Sequence, residues 1–243
     1  MFELSVLVPT LNDAGRLAST LETLDQAVSQ ASLNAEVIVV DDESEDDTLE
    51  VAAGLIARHP SLHLRVFRRT RRRRGFGEVV RYGMAHATGR FCALVSADGL
   101  DPVDLLPELV KRLRAGAHHV QCSRYLRPED EATVKHLFRL YQALYRRLIR
   151  LLLREEIRDS TFGFRAFDRI YVQALGISSA RFNVCPEITF KVLLSGGKLE
   201  YVPGHPAPYG VGGSKKFELP HESWGYAYVL LRAWLHRLGF YWF

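Results

Sequence analysis

Between residues 4 and 122 five short apolar runs alternate with four amphipathic stretches, and this alternation constrains the fold more than any other feature. Residues 4–8, 36–40, 62–67, 91–95 and 119–122 read as strands, because they are short, mostly apolar and bounded by turn-forming residues. Between them, Leu17, Leu21, Leu24 and Val28, then Leu49, Ala52, Leu55 and Ile56, recur at helical spacing. Two further helices follow, one ending near Thr88-Gly89 and one over 102–114. Parallel strands need long crossovers, usually helices, so strict β/α alternation implies a mainly parallel sheet covered on both faces. The 62–67 run alternates enough to lie nearer an edge. With 243 residues and 47% hydrophobic content, the chain can bury one sizeable core.

The run 91–95 ends abruptly in Ser96, Ala97, Asp98, Gly99, Leu100, Asp101 and Pro102. Open α/β sheets bind ligands outside the carboxyl ends of their strands, which is where this places Asp98 and Asp101. Mg²⁺ or Mn²⁺ is held well by one or two carboxylates together with substrate phosphate oxygens. The alternative is that Asp101 caps the next helix, with Pro102 in its first turn.

After residue 122 the rhythm changes. Residues 134–154 form one long helical stretch, with Lys135, Arg139, Arg146, Arg147, Arg150 and Arg154 on one side and Leu137, Tyr141, Leu144, Leu148, Leu151 and Leu152 on the other. Such a helix either packs its leucines inward or lies on a membrane surface. A helix over 186–195, a strand over 199–202, a glycine-rich stretch over 209–213 and an aromatic helix with Trp234, Phe240, Tyr241, Trp242 and Phe243 complete the chain. No window offers the roughly 20 uninterrupted apolar residues of a membrane span, since the last stretch contains Arg232, His236 and Arg237. The amino terminus enters a strand pattern without the basic and apolar regions of a signal peptide. Cys92, Cys122 and Cys185 lie in or beside apolar runs without metal-ligand spacing, as expected of reduced thiols in a cytoplasmic protein. Lysine and arginine exceed aspartate and glutamate by 32 to 28, with Arg68, Arg69 and Arg71 to Arg74 in one run. That run lacks interleaved aromatics and any nucleic-acid motif, so no nucleic-acid partner is expected.

Val8-Pro-Thr-Leu-Asn-Asp13, Val39-Val-Asp-Asp-Glu-Ser44 with Asp47-Thr48, Gly83 to Gly89 and Ser96-Ala-Asp98 resemble the ordered signature of family-2 glycosyltransferases with the GT-A fold. Ser123-Arg-Tyr125, Asp159 to Arg165, Glu187 and Gly212-Gly-Ser-Lys215 resemble the polyprenyl-phosphate branch of that family, the dolichyl-phosphate mannosyltransferase type. The resemblance runs from residue 4 to about 217 and implies a catalytic domain over 1–217, followed by an aromatic amphipathic helix over 218–243. It implies an inverting hexosyl transfer from GDP-mannose or a UDP-sugar to a dolichyl or undecaprenyl phosphate. The enzyme would sit peripherally on the cytoplasmic face of a membrane, with room for a membrane-anchoring protein partner.

Carried over residue by residue, Pro9, Asn12, Asp13, Asp41, Asp42, Gly75, Ser96, Ala97 and Asp98 border the nucleotide sugar. Asp98, with Asp101, would hold Mg²⁺ or Mn²⁺, and Arg124, Arg165 and Lys215 would meet phosphates. The sequence departs from the family at four places: Asp13 for glutamate, Glu43 for glycine, Ser96 for the first metal-binding aspartate, and Tyr209 for an arginine. Glutamate at 43 implies a reshaped loop, because glycine tolerates a positive φ that glutamate does not. Arg165 pairing with Asp159 is the structural alternative to a catalytic role. A phosphate acceptor needs no base, whereas a hydroxyl acceptor would need one, Asp159 or Glu187. Ser96 leaves open a third reading, a nucleotide-sugar binder that has lost catalysis.

Overall fold

The computed structural model describes residues 1–70, 73–132, 134, 136–204, 219–240 and 243. Seven strands form one sheet in the order β3-β2-β1-β4-β6-β5-β7. Four of them are β1 (Leu4–Thr10), β2 (Ala35–Asp41), β3 (Arg65–Arg68) and β4 (Phe91–Leu94), all parallel to one another. The others are β5 (His119–Ser123), β6 (Arg165–Asp168) and β7 (Leu199–Pro203). β6 runs antiparallel to both β4 and β5, while β7 returns parallel to β5.

The apolar runs are nearly continuous because both sheet faces are covered. Leu4, Val6 and Val8 of β1 and Val37 and Val39 of β2 join one cluster, under α1 (Ala14–Gln30), α2 (Thr48–Leu55) and α4 (Leu106–Arg114). Leu7, Ile38 and Val40 point the other way, under α3 (Phe76–His86), α7 (Arg169–Ala174) and α8 (Val184–Leu194). A short helix, α5 (Pro128–Ala132), precedes α6 (His136–Leu153). α6, α8 and α9 (Leu219–Leu235) enclose a third cluster around Tyr145, Ile149, Phe190, Tyr226 and Val229.

The third strand lies at the sheet edge as expected, but it begins at Arg65, because Leu62 ends a 3-10 turn over Pro60–Leu62. Ile56, expected to face inward, is exposed. Of the two arrangements open to α6, inward packing of its leucine stripe does not occur. Gln142, Tyr145, Ile149 and Leu153 are its buried residues, whereas Leu137, Leu140, Leu144, Leu148 and Leu151 are 40–73% exposed. The leucines therefore form an outward stripe one helix long. On α9, Trp224, Tyr228 and Leu231 are exposed at the same helical spacing.

Candidate active site

The carboxyl ends of β1, β2 and β4 lie side by side and carry the expected donor residues. After β1, Asn12 takes a left-handed conformation (φ 55°), and its amide donates to Ser44 Oγ at 2.9 Å. Asn12 Oδ1 accepts from the Glu45 amide at 2.8 Å, and the Asp13 amide donates to Thr48 Oγ1 at 2.8 Å. The loops after β1 and β2 are thus stitched into one unit. Pro9 stands one residue before the end of β1, paired in register with Val40.

Asp41 is fully buried, accepting from the Ser44 amide at 3.2 and 3.3 Å, with Arg68 at 3.8 Å. Asp42 is buried against Arg69 and accepts the Gly75 amide at 2.8 Å. Glu43 adopts φ 61° despite its side chain. The loop therefore retains the conformation that glycine favours, and Arg74 lies 3.5 Å from the Glu43 carboxylate. Gly75 is required by close approach, since a Cβ there would lie 2.3 Å from the Ala180 carbonyl oxygen.

After β4, the Ser96 amide donates to Asp101 Oδ2 at 2.6 Å, and Asp98 Oδ1 accepts the Leu100 amide at 3.2 Å. Asp101 thus folds back toward Ser96 instead of forward onto the next helix, so its carboxylate is not the helix cap. Ala97 is buried, and its carbonyl accepts from Thr20 Oγ1 at 3.0 Å. Burial, reinforced by the negative charge of Asp98, raises the Asp101 pKa to about 7 against the opposing Ser96 amide and Arg124. Two carboxylates that repel one another in a half-buried turn suit a divalent cation, which would relieve the repulsion and draw its remaining oxygens from a diphosphate. Among the described residues no cluster of three or more His, Cys, Asp or Glu could hold a metal unaided.

Arg124 follows β5, near enough for its charge to act on Asp101. Its guanidinium donates to both Asp159 oxygens, at 2.8 and 3.1 Å, and to Thr161 Oγ1 at 2.9 Å. It lies over the rings of Phe162, Phe138 and Tyr125 at 4.8, 5.3 and 5.6 Å. Asp159 is fully buried. Burial alone would raise its pKa, but Arg124 and the amides of Thr161 and Arg124 outweigh burial and hold it below the ordinary carboxylate range.

Arg165 is placed elsewhere. It is fully buried at the start of β6, donating to the carbonyls of Ser160, Phe162, Gly163 and Cys185 and to Thr189 Oγ1. Neither expectation for it holds here: it does not reach the crevice, and Asp159 pairs with Arg124. It instead ties the 160–163 segment to α8. Glu187 is also fully buried, accepting from the amides of Ser178 and Ser179 and from Ser178 Oγ, with Lys191 Nζ at 3.1 Å. Despite burial, these partners lower its pKa. Lys215, Tyr209 and the glycine-rich stretch lie outside the described residues.

Arg69, the buried partner of Asp42, was not singled out from the sequence, because nothing in a run of six arginines marks the one that turns inward. Thr161, two residues after Asp159, was likewise visible only as part of a motif.

This sheet order, with its acidic crevice, is the GT-A arrangement. Solved structures agree: glucosyl-3-phosphoglycerate synthase from Mycobacterium tuberculosis, in complex with UDP, superposes with a TM-score of 0.70 at 20% identity, covering 98% of this chain and 80% of that one. The model of glycosyl transferase family 2 matches residues 5–176, and the chain belongs to that family. Dolichol-phosphate mannosyltransferase of Pyrococcus furiosus is 28% identical over 212 residues, 86% of this chain and 57% of that protein. Dolichyl-phosphate beta-glucosyltransferase of Drosophila melanogaster is 31% identical over 185 residues, 71% of this chain and 56% of that protein. The chain spans a little over half the length of these relatives.

Proposed function

We propose that this chain transfers a sugar from a nucleoside-diphosphate sugar to a polyprenyl phosphate at a membrane surface, inverting the anomeric linkage. One observation carries the choice of acceptor. The two carboxylates that the family resemblance offers as bases for a hydroxyl acceptor are locked, Asp159 by Arg124 and Glu187 by Ser178, Ser179 and Lys191, and Asp101, beside Asp98, is assigned to the cation. Asp159 and Glu187 also have lowered pKa values, which makes them weak bases. A phosphate monoester is anionic at neutral pH and attacks without a base; what it needs is neutralisation. Arg124, oriented by Asp159, supplies positive charge on the acceptor side, and Lys215 is the second candidate cation. The named relatives, a dolichol-phosphate mannosyltransferase and a dolichyl-phosphate glucosyltransferase, support the same acceptor class.

On the donor side, the loops carrying Pro9, Asn12, Asp13, Asp41, Asp42 and Gly75 shape the nucleotide pocket. Asp98 and Asp101 would hold Mg²⁺ or Mn²⁺, which supplies Lewis-acid stabilisation to the departing diphosphate. Neighbouring structures that contain Mn²⁺ and UDP support a divalent cation. The outward leucine stripe of α6 is the face that meets the bilayer. The test compares transfer of radiolabelled sugar to polyprenyl phosphate and to the corresponding polyprenol, with and without chelator. Transfer confined to the phosphate, abolished by chelator and by Asp98→Ala, is expected. Equal transfer to the alcohol would replace this reading with the hydroxyl-acceptor one, and nucleotide binding without transfer to either would leave a donor-binding protein.

A further inference from the structure

A cavity of about 270 Å³ opens between α6 and the segment that follows it, lined by Ala143, Arg146, Arg147, Arg150, Glu156, Ile157 and Arg158. Four arginines face one carboxylate. Glu156 takes Arg150 at 3.0 Å and Arg158 at 3.4 Å, while Arg147 has no carboxylate partner among the described residues. At helical spacing, Arg147 borders the exposed leucine stripe and Arg150 lies farther round, so the cavity sits directly beside the apolar face. Its walls also lead to the transfer site. Arg146 lies 4.1 Å from the ring centroid of Tyr125, the residue after Arg124, and Arg158 immediately precedes Asp159.

We propose that this cavity binds the phosphate of an anionic phospholipid headgroup, at a site separate from that of the acceptor phosphate. The inference rests on the reading that the acceptor is membrane-borne. When leucines enter the acyl boundary, side chains bordering them lie at headgroup depth, where arginine forks match phosphate oxygens. A second copy of the chain fits the stripe less well. Antiparallel pairing would set the Arg147 border against itself, and parallel pairing would set it against Tyr141 and Leu152; neither gives Arg147 an anion. A lipid phosphate does, and it also balances the excess of arginine over Glu156.

The experiment is co-sedimentation of the full chain with phosphatidylcholine vesicles, with and without phosphatidylglycerol. Phosphatidylglycerol should strengthen binding, and Arg147→Gln or Arg158→Gln should each weaken that binding about five-fold, the equivalent of ~1 kcal/mol per arginine at a membrane surface. Binding to phosphatidylcholine alone should stay unchanged. Arg58→Gln removes the same charge from an exposed position outside the cavity. If it weakens binding equally, the attraction is diffuse and the site is disproved. If inorganic phosphate alone, measured by calorimetry, binds in an Arg158-dependent way while phosphatidylglycerol adds nothing, the ligand is a free phosphate and the lipid assignment fails. Transfer by the unaltered chain in detergent is read separately. Transfer without any response to phosphatidylglycerol rejects the cavity alone, whereas lipid-specific binding without transfer rejects the acceptor reading alone.

Discussion

Asp159 and Arg124 form a buried pair whose loss is read first in stability. Removing either partner leaves a charge in a low-dielectric site, so Asp159→Asn should cost about 3–5 kcal/mol at neutral pH. The folded-state pKa of Asp159 is depressed, so the pair's contribution is fully present above the ordinary carboxylate value of about 3.9 and lost as pH falls through the lower folded value. Urea titrations should therefore give a wild-type minus Asp159→Asn difference that is flat from neutral pH down to the carboxylate range and shrinks below it. At Ser96 the expectation concerns metal. A carboxylate restored there adds an oxygen ligand and negative charge beside Asp98 and Asp101, so Ser96→Asp should lower the Mn²⁺ concentration giving half-maximal transfer. An unchanged titration would place residue 96 outside the coordination shell. The positions of Asp98 and Asp101 at a strand's carboxyl end were legible in the sequence, because an apolar run ending in carboxylates has few other readings. The burial of Arg165 was not, since only tertiary contacts reveal that its donors are spent on backbone carbonyls.

Helical periodicity revealed that α6 is amphipathic but not which side faces the protein. Tyr145, Ile149 and Leu153 offer the core a second apolar line, and the packing of α9 selects it. This makes α6 a test of its own assignment. Tyr145 is 5% exposed and donates its hydroxyl to the Tyr226 carbonyl at 3.1 Å, so Tyr145→Ala should lower stability by about 3 kcal/mol or more. Leu144→Gln and Leu148→Gln, at exposed positions, should each change stability by less than about 0.5 kcal/mol. Thermal unfolding measures both. The glutamines should nevertheless weaken attachment to phosphatidylcholine vesicles, because they remove apolar surface from the face assigned to the bilayer. A large stability loss from the leucine changes would mean that the stripe is covered.

At the scale of the whole molecule, the parallel half of the sheet followed directly from β/α alternation, while antiparallel β6 did not. Its four residues contain Arg165 and Asp168, which break the apolar signature of a buried strand. The place of the carboxyl-terminal helix was equally hidden, because aromatic helices suit a membrane interface and a core alike. Tyr226, Val229 and Leu230 are at most 3% exposed and pack with Phe190 of α8 and Tyr145 of α6. Burial of an apolar side chain contributes about 1.5–3 kcal/mol, so these three together contribute roughly 5–9 kcal/mol. That is comparable with the whole stability of a typical domain, about 5–15 kcal/mol. A chain ending at residue 217 should therefore lose cooperative unfolding, or unfold at a much lower temperature, and bind a hydrophobic dye through the uncovered faces of α6 and α8. Calorimetry of the two lengths decides the matter. If residues 1–217 melt at the full chain's temperature, the last helix is an appendage; if they do not, α6 is built on a core that the last helix completes.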